Sequence, residues 1–389
     1  MFNKNIKIEN FYPKRKFSVQ KKISKLFKTL INSNNEVLSS MKKEYVNKYN
    51  SKLVVKFKKF SFFNIIGMGG SVLGSKAIYN FLGPFKKEFK FFDNFSNSFN
   101  YRLKKSKSVN IIVSKSGNTL ETISNLNFIE QKNNRNIFIT EDKKSYLFDL
   151  SKKLNVDLIH HNKLIGGRYS VLSEIGMFPS ELLGLSSKKF KRLNYLIKNK
   201  KFEKSLIKNI SDILIMLKNN KRNSIILNYD DKSHDLFKWY QQLVAESLGK
   251  KGKGILPVIS NMPKDNHSLM QLYLDGPKNS FYTFFYLKEK FSKKIINRNI
   301  LDTHKYLKGK NLSEIKHSQY LATLKVFKDK KIPHRCFEIF RKNEETLGEL
   351  FTFFMLETIL LGKVMSLNPY DQPAVELIKV NTKKILIKS

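Results

Sequence analysis

The sequence predicts an α/β protein built as two α/β/α sandwich subdomains, each with a parallel-rich sheet covered by helices. Three observations predict it. Apolar, β-rich runs alternate with helical patterns along the chain. The runs end in polar or glycine-rich loops that lead directly into those patterns. At 389 residues, 41% of them hydrophobic, the chain is long enough for two cores. In sheets of this kind, ligands sit beyond the carboxyl ends of the strands.

The elements follow in order. Residues 1–45 read as a helical N-terminal segment with a solvated lysine face. The first subdomain spans 46–205. In it, "FFNIIGMGGSVLGSKAIYNFL" at 62–82 is a strand, a glycine loop and a helix. "KFFDNF" reads as a short second strand. "VNIIVSKSGNTLETISNLNFIEQKN" repeats the plan of strand, polar loop and helix, and "NIFIT" is another strand. The lysine-rich helical stretch 185–220 holds the boundary. The second subdomain, 206–389, begins with the strand "NSIILNY" and the long helix "SHDLFKWYQQLVAESLGK". A strand "SFYTFFYL" and a final helix "LGELFTFFMLETILLGKVM" lead into "NPYDQPAVELIKVNTKKIL". The halves share a coarse plan but no sequence match.

Composition narrows the class. The net charge of +41 suits a polyanion binder. Yet lysine is spread along the whole chain, beside abundant Asn, Ile and Phe, residues with A/T-rich codons. The charge therefore reads as genome composition rather than nucleic-acid binding, and a basic surface would still steer a dianionic substrate inward. No run of about 18 apolar residues implies a membrane span. The basic start lacks the apolar region of a secretory signal. A single cysteine, Cys336, excludes an internal disulfide and reads as an inert thiol, so the expectation is a reduced, cytoplasmic protein.

Two loops carry the chemistry. Gly67, Gly69, Gly70 and Gly74 approach two phosphate motifs and match neither. Val72 stands where a dinucleotide fingerprint needs glycine, and Ser75-Lys76 reverse the order a P-loop needs. Ser71 is expected to open a helix whose free N–H groups favour an anion. Taken alone, this loop fits a ligand cradle and a plain tight turn equally. The loop "SKSGNTLET" at 114–122 favours the cradle. Ser114, Ser116 and Thr119 offer hydroxyl donors, Gly117 lets amides converge, and Thr119 stands at a helix start with Glu121 early in that helix. Lys115 offers either charge or only its amide. The set suits a phosphate monoester, and no magnesium-binding signature lies beside it.

"IIGMGGSVLGSKA" and "SKSGNTLET" resemble the sugar-isomerase (SIS) domain. Four further segments make the chain similar to the phosphoglucose isomerase family: "GGRYSVLSEIGMFP" at 166–179, "WYQQLVAESLGKKGKG" at 239–254, "NHSLMQLYLDGP" at 266–277 and "NPYDQPAVELIK" at 368–379. The resemblance implies two SIS domains and reversible interconversion of glucose 6-phosphate and fructose 6-phosphate without metal, nucleotide or other cofactor. It also implies a homodimer with the active site at the subunit interface; the composition and hydropathy above lead to the expectation of no nucleic-acid or membrane partner.

It further implies site residues. Glu246 is the base, Arg168 stabilises the enediolate, His267 opens the ring from the neighbouring subunit, and Lys379 assists at the ring oxygen. Gln242 and Gln372 hydrogen-bond the substrate. Gly70 and Ser71 line the sugar side, and Ser114, Lys115, Ser116 and Thr119 the phosphate. The other six histidines are expected to be structural. The sequence departs from the family at Ser116 and Asn118, where threonine is common, and at Ala374, where glycine is usual. It is also shorter, partly between "LYLDGP" and "NPYDQP". A relative that also accepts mannose 6-phosphate, and a sugar-phosphate sensor without turnover, are the alternatives; the sensor needs no such catalytic set.

Overall fold

The structure, a computed structural model, describes residues 4–12, 19–95, 108–129, 135–289 and 292–388. Among the described residues are ten strands: β1 (Ile6–Tyr12), β2 (Phe62–Gly67), β3 (Glu88–Phe92), β4 (Ser108–Val113), β5 (Arg135–Glu141), β6 (Asp157–His161), β7 (Asn223–Asn228), β8 (Leu256–Asn261), β9 (Ser280–Leu287) and β10 (His334–Ile339). They form two five-stranded sheets, ordered β3-β2-β4-β5-β6 and β1-β10-β9-β7-β8. The first is parallel throughout, as is the second apart from β1, which runs antiparallel along β10.

Both sheets reverse their order at the same relative place: between β2 and β4 in the first, and between β7 and β9 in the second. Such a switch point opens a crevice beyond the carboxyl ends of the two central strands. The loops at 67–71 and 114–119 leave those ends in the first sheet. β4 is buried at all six positions, as a strand covered on both faces must be.

The N-terminal segment corrects the expectation of helix over 1–45. Ile6–Tyr12 is a strand of the second sheet, with Ile6 opposite Ile339 and Lys7 bonded to Glu338. Its alternation of Ile6 and Ile8 with Lys7 and Glu9 suits an edge, but its partner lies more than 300 residues away, beyond any local period. Helix does form at Gln20–Ile31, where Ile23, Phe27 and Leu30 make a buried stripe and the lysines face out. Residues 1–3 and 13–18 of this segment, and 130–133 at the end of the expected "FIEQKN" helix, lie outside the described residues.

One core joins the halves. Ile78 and Phe81, on the helix Leu73–Leu82 after the glycine loop, share a cluster with Leu236 and Leu243 on the helix His234–Leu248 after β7. The helix Glu344–Val364 is buried along nearly its whole length, and Phe351 meets Trp239 edge-on at 4.7 Å. Burying that much apolar surface fixes the helix that carries Glu246 against the first sheet's loops.

Candidate active site

The glycine loop works by close approach. Gly69 has φ +53°, and a Cβ there would lie 2.8 Å from Gln242 Nε2. A Cβ on Gly70 would lie 2.2 Å from the Gly167 carbonyl carbon. Only glycine lets this loop, the 166–168 loop and the Gln242 side chain meet. Gly69–Ser71 is a 3-10 turn, and the helix begins two residues later than expected, at Leu73.

The second loop is a cradle of donors. Gly117 turns with φ +70°, and a Cβ there would sit 2.1 Å from Ser145 Oγ. The Ser114 and Thr119 hydroxyls are 2.8 Å apart. Ser116 Oγ accepts from the Asn118 amide at 3.2 Å. The helix Leu120–Ile129 starts immediately after Thr119, with Glu121 in its first turn. Its first N–H groups have no intrahelical partner and point toward the loop.

Two side chains here have structural duties. The Asn118 carboxamide oxygen accepts from the Tyr146 amide at 2.9 Å, at the start of the helix Tyr146–Lys153. Lys115 turns aside to donate to the Lys163 carbonyl at 2.9 Å, 3.5 Å from Glu141. Burial lowers the Lys115 pKa, and Glu141 only partly opposes the shift. What Lys115 offers an anion in this arrangement is therefore its amide.

Arg168 is the hub. It is 2% exposed, and all five of its N–H donors have acceptors. Nε donates to Ser247 Oγ at 2.9 Å. Nη1 donates to Glu246 Oε2 at 3.0 Å and Gln372 Oε1 at 2.7 Å. Nη2 donates to the carbonyls of Pro369 at 2.7 Å and Asp371 at 3.0 Å. Trp239 Nε1 holds the Arg168 carbonyl at 3.1 Å. Buried guanidinium is tolerable only because every donor is met.

Glu246 lies one residue before Ser247 on the same helix. Its Oε1 accepts from Gln242 Nε2 at 2.8 Å, and its carboxylate is about one-third open to solvent, at 31%. Gln242 Oε1 is buried with no hydrogen-bond partner, which leaves one acceptor free for a hydroxyl donor. Carboxylate, guanidinium and two carboxamides thus converge beside Gly70, next to the 114–119 loop across β2 and β4. The set can move a proton and stabilise an adjacent negative oxygen.

Two expected residues stand apart within the chain. The His267 ring is exposed on the short helix Asp265–Ser268 beyond β8, with no hydrogen bond to Glu246 or Arg168. Lys379 is 66% exposed and, among the described residues, pairs with Glu376 alone, at 2.6 Å. Its helix, Glu376–Lys388, buries no residue, and among the described residues no contact carries the amine to the Glu246 carboxylate. Ala374 lies in the exposed turn Pro373–Val375, where its methyl is accommodated without positive φ. Cys336 is buried, and burial pushes its thiol up to about 12. Among the described residues no group of three or more His, Cys, Asp or Glu is placed to hold a metal, and no helix is long and apolar enough to cross a membrane.

Sequence reasoning missed the residues that hold Arg168: Ser247, Trp239 and the 369 and 371 carbonyls. It also missed Lys250, whose amine reaches the Asn368 carbonyl and Asp371 Oδ1 and so pins the 368–372 loop. Ser247 and Lys250 sit inside the quoted "AESLGK", but only the fold shows what they face.

Two doubly wound sheets with a donor-lined loop at a switch point define the sugar-isomerase class. Solved structures agree on the fold. A hypothetical protein from Thermus thermophilus superposes with a TM-score of 0.81 at 23% identity, covering 95% of this chain and 94% of that one. A glucose-6-phosphate isomerase from Chlamydia trachomatis does so with 0.73 at 17% identity, covering 94% and 84%. The chain belongs to the phosphoglucose isomerase family, whose model matches residues 18–389. Among its relatives, glucose-6-phosphate isomerase of Methanocaldococcus jannaschii is 32% identical over 80% of this chain and 81% of its own. The enzyme of the same name from Mycoplasmopsis pulmonis is 31% identical, over 83% and 82%.

Proposed function

We propose that the protein interconverts glucose 6-phosphate and fructose 6-phosphate through a cis-enediolate. The observation that carries this reading is the direct 3.0 Å contact of Glu246 with Arg168, beside the free acceptor of Gln242. The loop amides and the hydroxyls of Ser114, Ser116 and Thr119 grip the phosphate, and that remote binding orients the sugar carbons. Glu246 takes the C2 proton of the open-chain aldose and returns it to C1 of the ketose, while a proton passes from O2 to O1. Arg168 faces the enediolate oxygen, exchanging the Gln372 bond for one to the substrate, and Gln372 and Gln242 then hold sugar hydroxyls. Gly70 and Ser71 let the sugar lie close against the first sheet.

Ring opening falls to His267 and Lys379 in an assembled homodimer. The exposed helix Glu376–Lys388 supports that assembly: Leu377 and Ile387 are 71% and 74% exposed, and such a helix needs a covering surface. We read the halves as SIS domains over 46–205 and 206–389, and the setting as cytoplasmic glycolysis and gluconeogenesis.

The test is conversion of fructose 6-phosphate in deuterium oxide by the purified protein without added metal. Product glucose 6-phosphate with deuterium at C2 is the expected result. Absence of conversion by the folded protein would remove the isomerase reading, and tight binding without conversion would favour a sensor.

A further inference from the structure

We propose that Glu174 and His161 are a buried pair of positioning residues that set where Arg168 stands. This deepens the isomerase reading above and rests on it. The geometry starts with a loop. β6 ends at His161, and the helix Glu174–Leu182 begins at Glu174. Arg168 sits near the middle of the intervening chain. The Glu174 carboxylate closes this loop at its base. Its Oε1 accepts from the Asn162 amide at 2.8 Å and lies 3.2 Å from His161 Nδ1. Its Oε2 accepts from Tyr45 Oη at 3.2 Å.

His161 carries the clamp forward. Its Nε2 lies 3.0 Å from the carbonyl of Ile165, the residue immediately before Gly166-Gly167-Arg168. Its two ring nitrogens thus face the Glu174 carboxylate on one side and the Ile165 carbonyl on the other. The His161 and Glu174 side chains are fully buried. Glu174 is also at a helix N-terminus, where a negative charge is favoured. Burial pushes its carboxyl up, but His161, its own backbone amide and the Asn162 amide outweigh burial and hold it below the usual range.

The far side of the loop is fixed independently. Trp239 holds the Arg168 carbonyl, Ser170 Oγ donates to the Gly70 carbonyl at 3.3 Å, and Lys191 donates to the Leu172 carbonyl at 3.1 Å. On the near side the two flexible glycines separate Ile165 from Arg168. The His161–Ile165 bond fixes the start of that stretch, together with the bond from the Ile165 amide to the Asn162 carbonyl at 3.0 Å. Neither Glu174 nor His161 touches the site itself, so they act on the reaction only through the place they give Arg168.

The test compares Glu174→Gln and Glu174→Ala with the parent protein by steady-state kinetics on fructose 6-phosphate, per folded protein. A misplacement of about 1 Å at a reacting group costs on the order of 100-fold in rate. Glu174→Ala is therefore expected to lose kcat on that scale with KM changed less than about twofold, because the phosphate loop is untouched. Glu174→Gln keeps an oxygen for the Asn162 amide and is expected to recover most of the loss. A second readout does not need turnover: the 15N–1H resonance of Arg168 Nε, bonded to Ser247, is expected to shift in Glu174→Ala and return toward the parent in Glu174→Gln. Unchanged kcat with an unchanged Arg168 resonance, in variants that merely melt earlier, would overturn the proposal. If the parent itself is inactive, the isomerase reading fails, and the resonance alone decides whether the pair positions Arg168.

Discussion

Arg168 and Lys379 carry the same charge and are expected at the same site, yet the molecule treats them in opposite ways. The loop 162–174 buries its arginine and meets all five donors. The helix Glu376–Lys388 buries nothing and leaves its lysine paired with a neighbour three residues away. The difference teaches where a single chain can organise a site unaided. Beside Glu246, three loops and a buried helix fix geometry before any substrate arrives. At the C-terminus the backbone is helical, and no residue of that helix is buried. The first region is organised by packing within the fold, and the second lies exposed.

Replacing the guanidinium breaks that comparison most severely. Arg168→Lys keeps the charge but cannot make the forked bonds, and kcat is expected to fall by about 10²–10³-fold, with a lower melting temperature as well. A variant within about threefold of the parent would show that the developing charge lies elsewhere. Lys379→Ala sharpens the contrast. It is expected to lower kcat by about 10–10²-fold, as loss of a proton-transfer group does, with no change in melting temperature. A clear drop in melting temperature would mean that the amine is packed in the assembled protein.

A smaller effect is expected at the phosphate end. Gly117→Ala places a Cβ 2.1 Å from Ser145 Oγ in a φ +70° backbone. It should cost about 1–3 kcal/mol of stability and raise KM more than it lowers kcat. Equal KM with reduced kcat would place the phosphate away from this loop.

The smallest effect concerns the buried helix beneath the site. Burial pushes the Glu349 carboxyl up to about 7, against the pull of Arg192. The folded state therefore binds a proton more tightly than the unfolded state. That contribution is fully present below pH about 4.5 and is lost as pH rises through 7, with about 3 kcal/mol as the upper bound. Chemical denaturation at about pH 5 and about pH 8 should show part of this fall, and Glu349→Gln should flatten it. An unchanged slope in Glu349→Gln would assign the dependence to another group.

The sequence made some of this legible for local reasons. β2, β4, β7 and β9 are apolar runs punctuated by glycine or polar loops, and the buried stripe of Gln20–Ile31 follows the helical period. β1 escaped because its order comes from pairing with β10, at the other end of the chain. β10 itself reads "HRCFEI", a run with an arginine that only a buried partner makes plausible; that partner, Glu357, is on the helix Glu344–Val364. In the site, residue types pointed to the 114–119 loop, and the family resemblance of the surrounding segments pointed to Glu246 and Arg168. The sequence could not show that Asn118 would serve the start of another helix, or that Lys115 would turn away. Nor could it show that Arg168 would bond to residues up to 204 positions distant. Those are facts of packing between segments, and they decide which named side chains remain free for a ligand.

The most direct measurement is isomerisation of fructose 6-phosphate by the parent protein and by Glu246→Gln, both verified as folded and without added metal. Glutamine can still accept from Arg168 but cannot take a carbon-bound proton, so the expected result is an active parent and a variant slower by about 10²–10⁴-fold. Equal activity in the two proteins would contradict the assignment of Glu246 as the base and, with it, the central reading of the site.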